Sequence, residues 1–122
     1  MKLSFDDERP IFIQIAEQIE DAILSGAFPE ETQIPSMTEI SVSYKINPAT
    51  ALKGINMLVE SGVVYKKRGV GMFVATGAVK TLLEKRKKEF SDKYISELFT
   101  EAKRLRLAKE DIFSMIERGF AE

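Results

Sequence analysis

The stretch that most constrains the fold is NPATALKGINMLVESGVVYKKRGVGMFV, residues 47–74. Asn47 is a favoured N-cap, and Pro48 suits the first helical position because its missing N–H would have no intrahelical partner. Apolar residues then recur at helical spacing up to Gly62, and β-rich segments flank the basic turn 68–71. The stretch therefore predicts a helix over about 48–61 followed by a β-hairpin. The helix residues expected to face the core are Ala51, Ile55, Leu58 and, as a further candidate, Val59.

Two more helices are predicted before this stretch. Pro10 can open a helix over about 10–25, and Gly26 is suited to end it. Residues 27–33 are predicted to form a loop punctuated by Pro29. One apolar stripe runs along the first helix and consists of Phe12, Ile15, Ile19, Ala22 and Ile23.

The second helix is short and is marked by a capping box. Ser36 and Glu39 have the spacing in which each side chain bonds the backbone N–H of the other. The helix is expected over about 36–43, with Met37 and Ile40 inward and a tight turn at 44–46. Two helices joined by such a turn form a helix-turn-helix, and the hairpin that follows adds a wing.

A boundary is predicted near Gly77, giving a winged helix-turn-helix domain over 1–76 and a helical region over 77–122. The predicted fold class is mainly α with a small β-hairpin. The second region is expected to form two helices that break near Leu107-Ala108. Because such a hairpin cannot bury both of its faces alone, it is predicted to pair with a second copy of the chain. The predicted dimer interface consists of Phe90, Tyr94, Leu98, Phe99, Ile112, Phe113 and Ile116.

Composition removes several classes of function. The chain of 122 residues has no Cys and no His, which excludes disulfides, thiolate catalysis and the usual zinc or haem ligands. Carboxylates are plentiful, but they form no convergent catalytic constellation, so no enzyme activity, metal or cofactor is predicted. No apolar run reaches the ~18 residues that a transmembrane helix needs. A protein of the cytoplasm without a membrane partner is expected.

The net charge of −1 hides an uneven distribution. Residues 1–43 carry two basic and nine acidic residues, a net charge of −7. Residues 44–77 carry five basic residues and one acidic residue, a net charge of +4, and residues 78–122 carry a net charge of +2. The positive segment coincides with the helix-turn-helix and the hairpin, where a polyanion would bind.

Both parts of the positive segment suit double-stranded DNA. The major groove admits an α-helix, and a helix-turn-helix presents the first residues of its second helix to base edges. Ala49 and the Thr50 methyl suit a thymine methyl, while Lys53 suits a phosphate or a guanine. Arg68 at a glycine-flanked tip suits a narrow minor groove, with Lys66 and Lys67 beside phosphates. The full set of predicted DNA-contacting residues is Ser36, Thr38, Lys45, Asn47, Ala49, Thr50, Lys53, Lys66, Lys67, Arg68, Gly69 and Gly71.

An ordered set of residues runs along the first two thirds of the chain: Pro10-Ile11 with Gln14-Ile15, Ser25-Gly26, Pro35-Ser36, Asn47-Pro48 with Thr50, and Gly69-Val70-Gly71 with Phe73-Val74. Through this set, residues 10–76 resemble the winged-helix domain of the GntR family of bacterial transcription regulators, and the short helical tail resembles the YtrA subfamily. The resemblance implies a homodimer, an inverted-repeat operator and repression of transcription.

The chain departs from the family pattern at several positions. Thr38 stands where the family commonly has an arginine that contacts DNA, and Glu30-Glu31 stands where Pro-Gly is usual. Ala49 replaces a frequent Asn, and Met72 replaces a frequent Thr. These differences leave an alternative open, in which the winged helix binds another protein and has little affinity for DNA. The sequence names no small-molecule effector, and the run 85–88 is interpreted as a solvated basic face of a helix.

Overall fold

The computed structural model describes residues 8–122, which fold into two compact units, and the chain passes from the first to the second between Glu84 and Lys85. The predicted mainly helical fold with one β-hairpin is confirmed. The predicted domain boundary between residues 76 and 77 stays a prediction. Residues 1–7, the start of the predicted winged-helix domain, lie outside the described residues. The elements are α1 Ile11–Ser25, α2 Met37–Tyr44, α3 Pro48–Glu60, β1 Val64–Lys67, β2 Gly71–Val74, α4 Ala78–Phe90, a π-helical turn Ser91–Ile95, α5 Ser96–Arg104 and α6 Lys109–Ala121.

The predicted cap residues of the first unit are confirmed. The tight turn predicted at 44–46 lies one residue later, at 45–47, because α2 continues through Tyr44. The Ser36 hydroxyl accepts from the Glu39 N–H at 3.1 Å, and the Glu39 carboxylate accepts from the Ser36 N–H at 3.2 Å. The Asn47 Oδ1 accepts from the Ala49 N–H at 2.8 Å, which caps α3. Gly26 ends α1 in the left-handed region at φ 87°. Each contact satisfies a backbone group that the helix itself leaves unpaired.

The core of the first unit is built from one face of each helix and the base of the hairpin. Leu82 of α4 is fully buried with the first three helices, so α4 contributes its opening turns to this core. Val59 is one-third exposed and does not join Leu58 in the core, since adjacent helical residues point about 100° apart. The buried apolar residues are Ile15, Ala16, Ile19, Ile23, Ile34, Ile40, Ala51, Ile55, Leu58, Val63, Val64, Val74, Ala78 and Leu82.

The α1 and α3 helices approach each other closely at Gly54. A Cβ at this position would lie 2.8 Å from the backbone oxygen of Phe12 and 3.0 Å from the Ile15 Cγ2. Glycine costs a helix interior about 1 kcal/mol relative to alanine. Here the absence of a side chain lets the two backbones come together, which places α3 firmly on α1.

The hairpin pairs antiparallel, with Tyr65 opposite Phe73 and Lys67 opposite Gly71. The prediction of a loop over residues 27–33 is wrong at its end, because a bridge pairs Gln33 with Phe73. The N–H of Glu31 donates to the Val74 carbonyl at 2.8 Å, and flanking backbone bonds extend this pairing as far as Ile34. Propensity alone did not indicate a strand here, since the pairing depends on β2 being nearby.

The close approach of α1 and α3 leads to a stability prediction. We expect Gly54→Ala to lower the free energy of unfolding by about 1–3 kcal/mol, because the added methyl meets backbone that cannot move aside as a side chain would. Urea denaturation measures the change. Gly119→Ala is the matched control, since Gly119 lies in α6 and, apart from its chain neighbours and the backbone of its own helix, no atom of residues 8–122 lies within 4 Å of the added Cβ. A neutral or stabilising Gly54→Ala would contradict the close-approach argument.

Candidate nucleic-acid interface

The turn between α2 and α3 is three residues long and is held by specific bonds. Lys45 takes the left-handed conformation at φ 53°, and its N–H donates to the Ser41 carbonyl. The buried Ser41 hydroxyl donates to the Ile46 carbonyl at 2.7 Å. These bonds fix the angle at which the chain enters α3, and they leave the Lys45 side chain exposed beside the helix start.

The first two turns of α3 present the predicted base-reading residues. Ala49 and Lys53 are exposed, and Thr50 is half-buried. Asn47 is exposed as well, but its Oδ1 is engaged in capping, so the side chain offers mainly its amide NH₂ to a ligand. The helix therefore displays small, apolar and cationic groups to an incoming surface.

Lys53 is held over an aromatic ring. Its Nζ lies 4.0 Å from the centroid of the Phe12 ring of α1, a cation–π contact. The contact restricts the long lysine stem without removing the charge or the hydrogens of the ammonium. Phe12 was predicted only as part of the core stripe, yet it also supports a predicted DNA-contacting side chain.

The wing tip, residues 66–70, is exposed at every position. The N–H of Val70 donates to the Lys67 carbonyl at 2.9 Å and closes the turn around Arg68. Gly69 occupies the left-handed region at φ 77°, which an L residue seldom adopts. Arg68 thus projects from the extreme of a short, tightly closed turn.

The other wing glycine makes room for a glutamine. A Cβ on Gly71 would lie 2.3 Å from the Nε2 of Gln33, and that Nε2 donates to the Val70 carbonyl at 3.0 Å. The segment before α2 is thereby bonded to the wing tip. Gln33 was not among the predicted site residues, and no local pattern would have found it.

The basic wing residues point to different faces of the strand, as the alternation of a β-strand requires. The Nζ of Lys67 lies 4.2 Å from the centroid of the Phe73 ring, which stacks at 6.0 Å on the ring of Tyr65. Lys66 is exposed opposite Met72. One wing lysine is therefore supported by an aromatic pair.

The remaining predicted site residues lie at the start of α2. Thr38 is exposed in the first turn, and the Ser36 hydroxyl serves as the helix cap. Neither residue contributes a cation, so the positive charge of the candidate interface comes from α3, the turn and the wing. A threonine at position 38 can reach a phosphate by a hydrogen bond but cannot pair with its charge.

Glu30 and Glu31 form a cluster, the carboxylate clamp, that ties the α1–α2 connection to the end of the hairpin. The Glu31 carboxylate accepts from the Tyr65 hydroxyl at 2.7 Å and from the Thr76 hydroxyl at 2.6 Å. The Glu30 carboxylate accepts from the N–H groups of Gly77 and Val79 at 2.8 and 3.1 Å, at the start of α4.

These hydrogen bonds favour the charged form of both acids. The backbone N–H groups of Gly77 and Val79 hold the pKa of Glu30 below its ordinary value of 4.5. The hydroxyls of Thr76 and Tyr65 hold the pKa of Glu31 below 4.5 as well. Glu31 also sits at φ 66°, an unfavourable conformation for a residue with a Cβ. The three hydrogen bonds that the Glu31 carboxylate accepts from Tyr65 and Thr76 offset that backbone cost.

The second unit leaves its apolar side chains on the surface. No residue of α5 or α6 is buried, and Phe99 is 57% exposed. The rings of Phe90 and Tyr94 lie 5.6 Å apart across the start of the π-helical turn. Of the predicted dimer residues, Phe90, Tyr94, Phe99, Phe113 and Ile116 are exposed, whereas Leu98 and Ile112 are half-buried.

Over residues 8–122, no group of acidic side chains is arranged to hold a metal ion. Within the same range, no helix is both long and apolar enough to span a bilayer. The basic run 85–88 carries helical partners at four-residue spacing, including Lys88 with Asp92 at 3.2 Å. That pairing fits the interpretation of the run as a solvated helix face.

A capped helix-turn-helix followed by a basic wing defines a class of DNA-binding transcription regulators. Comparison with known proteins assigns the family, since residues 13–74 match the family of bacterial regulatory proteins named gntR. The match covers just over half of the chain, and the chain belongs to this family. It is a transcription regulator of the gntR family, and not an enzyme.

Two relatives and one solved structure support the assignment. The HTH-type transcriptional regulator YhcF of Bacillus subtilis is 29% identical over 118 residues, which cover 95% of this chain and 94% of that protein. The transcriptional repressor YtrA of the same organism is 31% identical, with 62% of this chain and 58% of that repressor covered. A crystal structure of a GntR-family regulator from Bacteroides thetaiotaomicron has a TM-score of 0.79 at 33% identity and covers 91% of this chain and 96% of that one.

The carboxylate clamp leads to a pH prediction. A folded pKa below 4.5 makes a carboxylate stabilising above that pH, and the contribution is lost as the pH falls through the folded pKa. We expect the double variant Glu30→Gln, Glu31→Gln to unfold at a lower urea concentration than the natural protein at pH 7. The gap should close as the pH falls below 4.5.

Urea midpoints measured between pH 7 and pH 3 test the clamp. The control is Glu60→Gln, because the exposed Glu60 carboxylate makes no hydrogen bond with residues 8–122. A gap that stayed constant with pH would show that the two carboxylates are not stabilising in their charged form.

Proposed function

We propose that the chain is a cytoplasmic transcriptional repressor that binds an inverted-repeat operator as a homodimer. The observation that carries the proposal is the joint display of α3 and the wing, in which Lys53 and Lys67 are each held over an aromatic ring. A lysine side chain that is already held over a ring loses little conformational entropy when it binds a phosphate, which favours DNA binding.

In this proposal α3 lies in the major groove and reads base edges through Ala49 and Thr50. Lys45 and Lys53 lie beside the DNA backbone, and the cap residues Ser36 and Asn47 add hydrogen bonds to it. A structure of the related AraR DNA-binding domain in complex with its operator, 30% identical with a TM-score of 0.54 over 61% of this chain, supports this use of the fold.

The wing is proposed to enter the adjacent minor groove. Arg68 inserts there because a narrow groove concentrates negative potential, and Gly69 and Gly71 permit the backbone to come close. Lys66 and Lys67 then flank the groove at phosphates. Sequence selection at the wing depends on groove width, and selection at α3 depends on hydrogen bonds and methyl contacts.

Residues 77–122 are proposed to hold two copies together. Exposed aromatic and aliphatic residues on α5 and α6 would be buried in a symmetric interface, and a C₂ dimer requires the same patch on both chains. Two-fold symmetry predicts two half-sites about one helical turn apart. Repression is proposed because curated relatives include the repressor YtrA, and blocking a promoter needs no additional domain.

The DNA proposal is tested by selection from a random duplex library, followed by fluorescence anisotropy of the selected duplex across a salt series. We expect one inverted repeat to be enriched and log Kd to rise steeply with log salt, because several phosphates are neutralised. Arg68→Ala should weaken binding about tenfold and lower the salt slope by about one.

The matched control for Arg68→Ala is Arg106→Ala, which removes the same charge from the second unit. Equal loss in both variants would mean that net charge, and not the wing, drives binding. Binding of the natural protein to no duplex at low salt would instead support a protein-interaction module.

The dimer proposal is tested by Phe99→Asp. We expect a monomer, because a charge inside an apolar interface loses its hydration without gaining a partner. Sedimentation equilibrium measures the mass, and operator affinity should fall with it. Thr100→Asp places the same charge at the next residue of α5 and should leave the dimer intact. A Phe99→Asp protein that stays dimeric would refute the proposed interface.

A further inference from the structure

We infer that Glu31 is a positioning residue for DNA binding, which fastens the wing and sets the place of Lys67. The inference rests on the proposed function, since it assigns a role in DNA binding to a residue that touches no DNA in that account. Glu31 lies on the connection between α1 and α2, and it is an acid in a region where charge alone would favour a neutral residue.

The Glu31 carboxylate is hydrogen-bonded to both sides of the hairpin. Its Oε2 accepts from the hydroxyl of Tyr65 on β1 at 2.7 Å. Its Oε1 accepts from the hydroxyl and the N–H of Thr76, just after β2, at 2.6 and 3.1 Å. One carboxylate therefore joins the two strands at the base of the wing. A two-stranded hairpin is only marginally stable by itself, so such a tie limits its movement.

A series of side-chain contacts connects the base of the hairpin to its basic tip. The Tyr65 ring, fixed at its hydroxyl by Glu31, stacks on the ring of Phe73 with centroids 6.0 Å apart. The ammonium of Lys67 lies 4.2 Å from the centroid of that same Phe73 ring. Glu31, Tyr65, Phe73 and Lys67 thus form a continuous chain of contacts, and movement at one end displaces the other.

The backbone conformation at position 31 would suit a glycine better than an acid. Glu31 holds φ at 66°, where glycine would be relaxed. The chain keeps a strained acid at this position, and the carboxylate bonds to Tyr65 and Thr76 require that acid. The side chain of Gln33, two residues later, donates a hydrogen bond to the Val70 carbonyl at the wing tip. The same segment therefore contacts the wing at both its base and its tip.

A positioning role for Glu31 can be distinguished from an effect of its charge, because the two predict opposite changes in DNA affinity when Glu31 is replaced. If Glu31 acted only as a negative charge near DNA, its removal would tighten binding. If it positions the wing, Glu31→Gly should weaken binding about fivefold, although the substitution removes a negative charge and relaxes the backbone. Glu31→Gln keeps a hydrogen-bonding group of the same shape and should bind within about twofold of the natural protein.

The experiment measures Kd of the selected operator duplex by fluorescence anisotropy for each variant, with Glu60→Gln as the matched loss of one negative charge. Lys67→Ala should cost about fivefold in the natural background and less than twofold in Glu31→Gly, because Lys67 is no longer held in place. Hydrogen exchange of the Val70 and Val74 amides in the free protein should be faster in Glu31→Gly than in Glu31→Gln.

The outcomes are distinct. Glu31→Gly that binds as tightly as Glu60→Gln, or a Lys67→Ala cost that is equal in both backgrounds, would overturn the inference. A thermal melt of each variant shows whether the fold is intact, and Tyr65→Phe breaks the same contact without touching Glu31. Natural protein that binds no duplex would overturn the proposed function, while the exchange measurement would still decide whether Glu31 fixes the wing.

Discussion

The close approach of α1 and α3 at Gly54 is the constraint on which the rest of the first unit depends. Because no side chain separates the two backbones there, the face of α3 that carries Ala51 and Ile55 lies directly on α1. The opposite face, with Ala49 and Lys53, is then turned outward. The same approach brings the Phe12 ring under the Lys53 ammonium, so one packing contact determines both the burial of α3 and the position of a cation.

The wing depends on a second set of contacts, made by the connection between α1 and α2. This connection supplies a bridge through Gln33 and a carboxylate tie through Glu31, while Glu30 caps the start of α4. The two acids depart from the family pattern, and their roles explain how the departure is tolerated. Their carboxylates accept hydrogen bonds from hydroxyl and N–H groups, so the two negative charges stabilise the fold instead of lying unpaired beside the basic wing.

Much of this arrangement could be predicted from the sequence, because the signals are local. The Ser36 capping box, the Asn47-Pro48 helix start and the paired glycines of the wing each act within four residues, and their consequences were confirmed. The contacts that the sequence did not indicate are distant along the chain: Glu31 with Thr76, Gln33 with Val70 and Lys53 with Phe12. No periodicity encodes such pairs, which exist only once the elements have packed.

The central claim is that α3 and the wing together form one DNA-binding surface. Amide chemical-shift mapping by NMR, with the selected operator duplex titrated into the isotopically labelled protein, tests it most directly. We expect the largest perturbations on residues 45–53 and 66–71, with smaller ones at 36–38. Perturbations confined to α5 and α6, or spread evenly over the first unit, would contradict it.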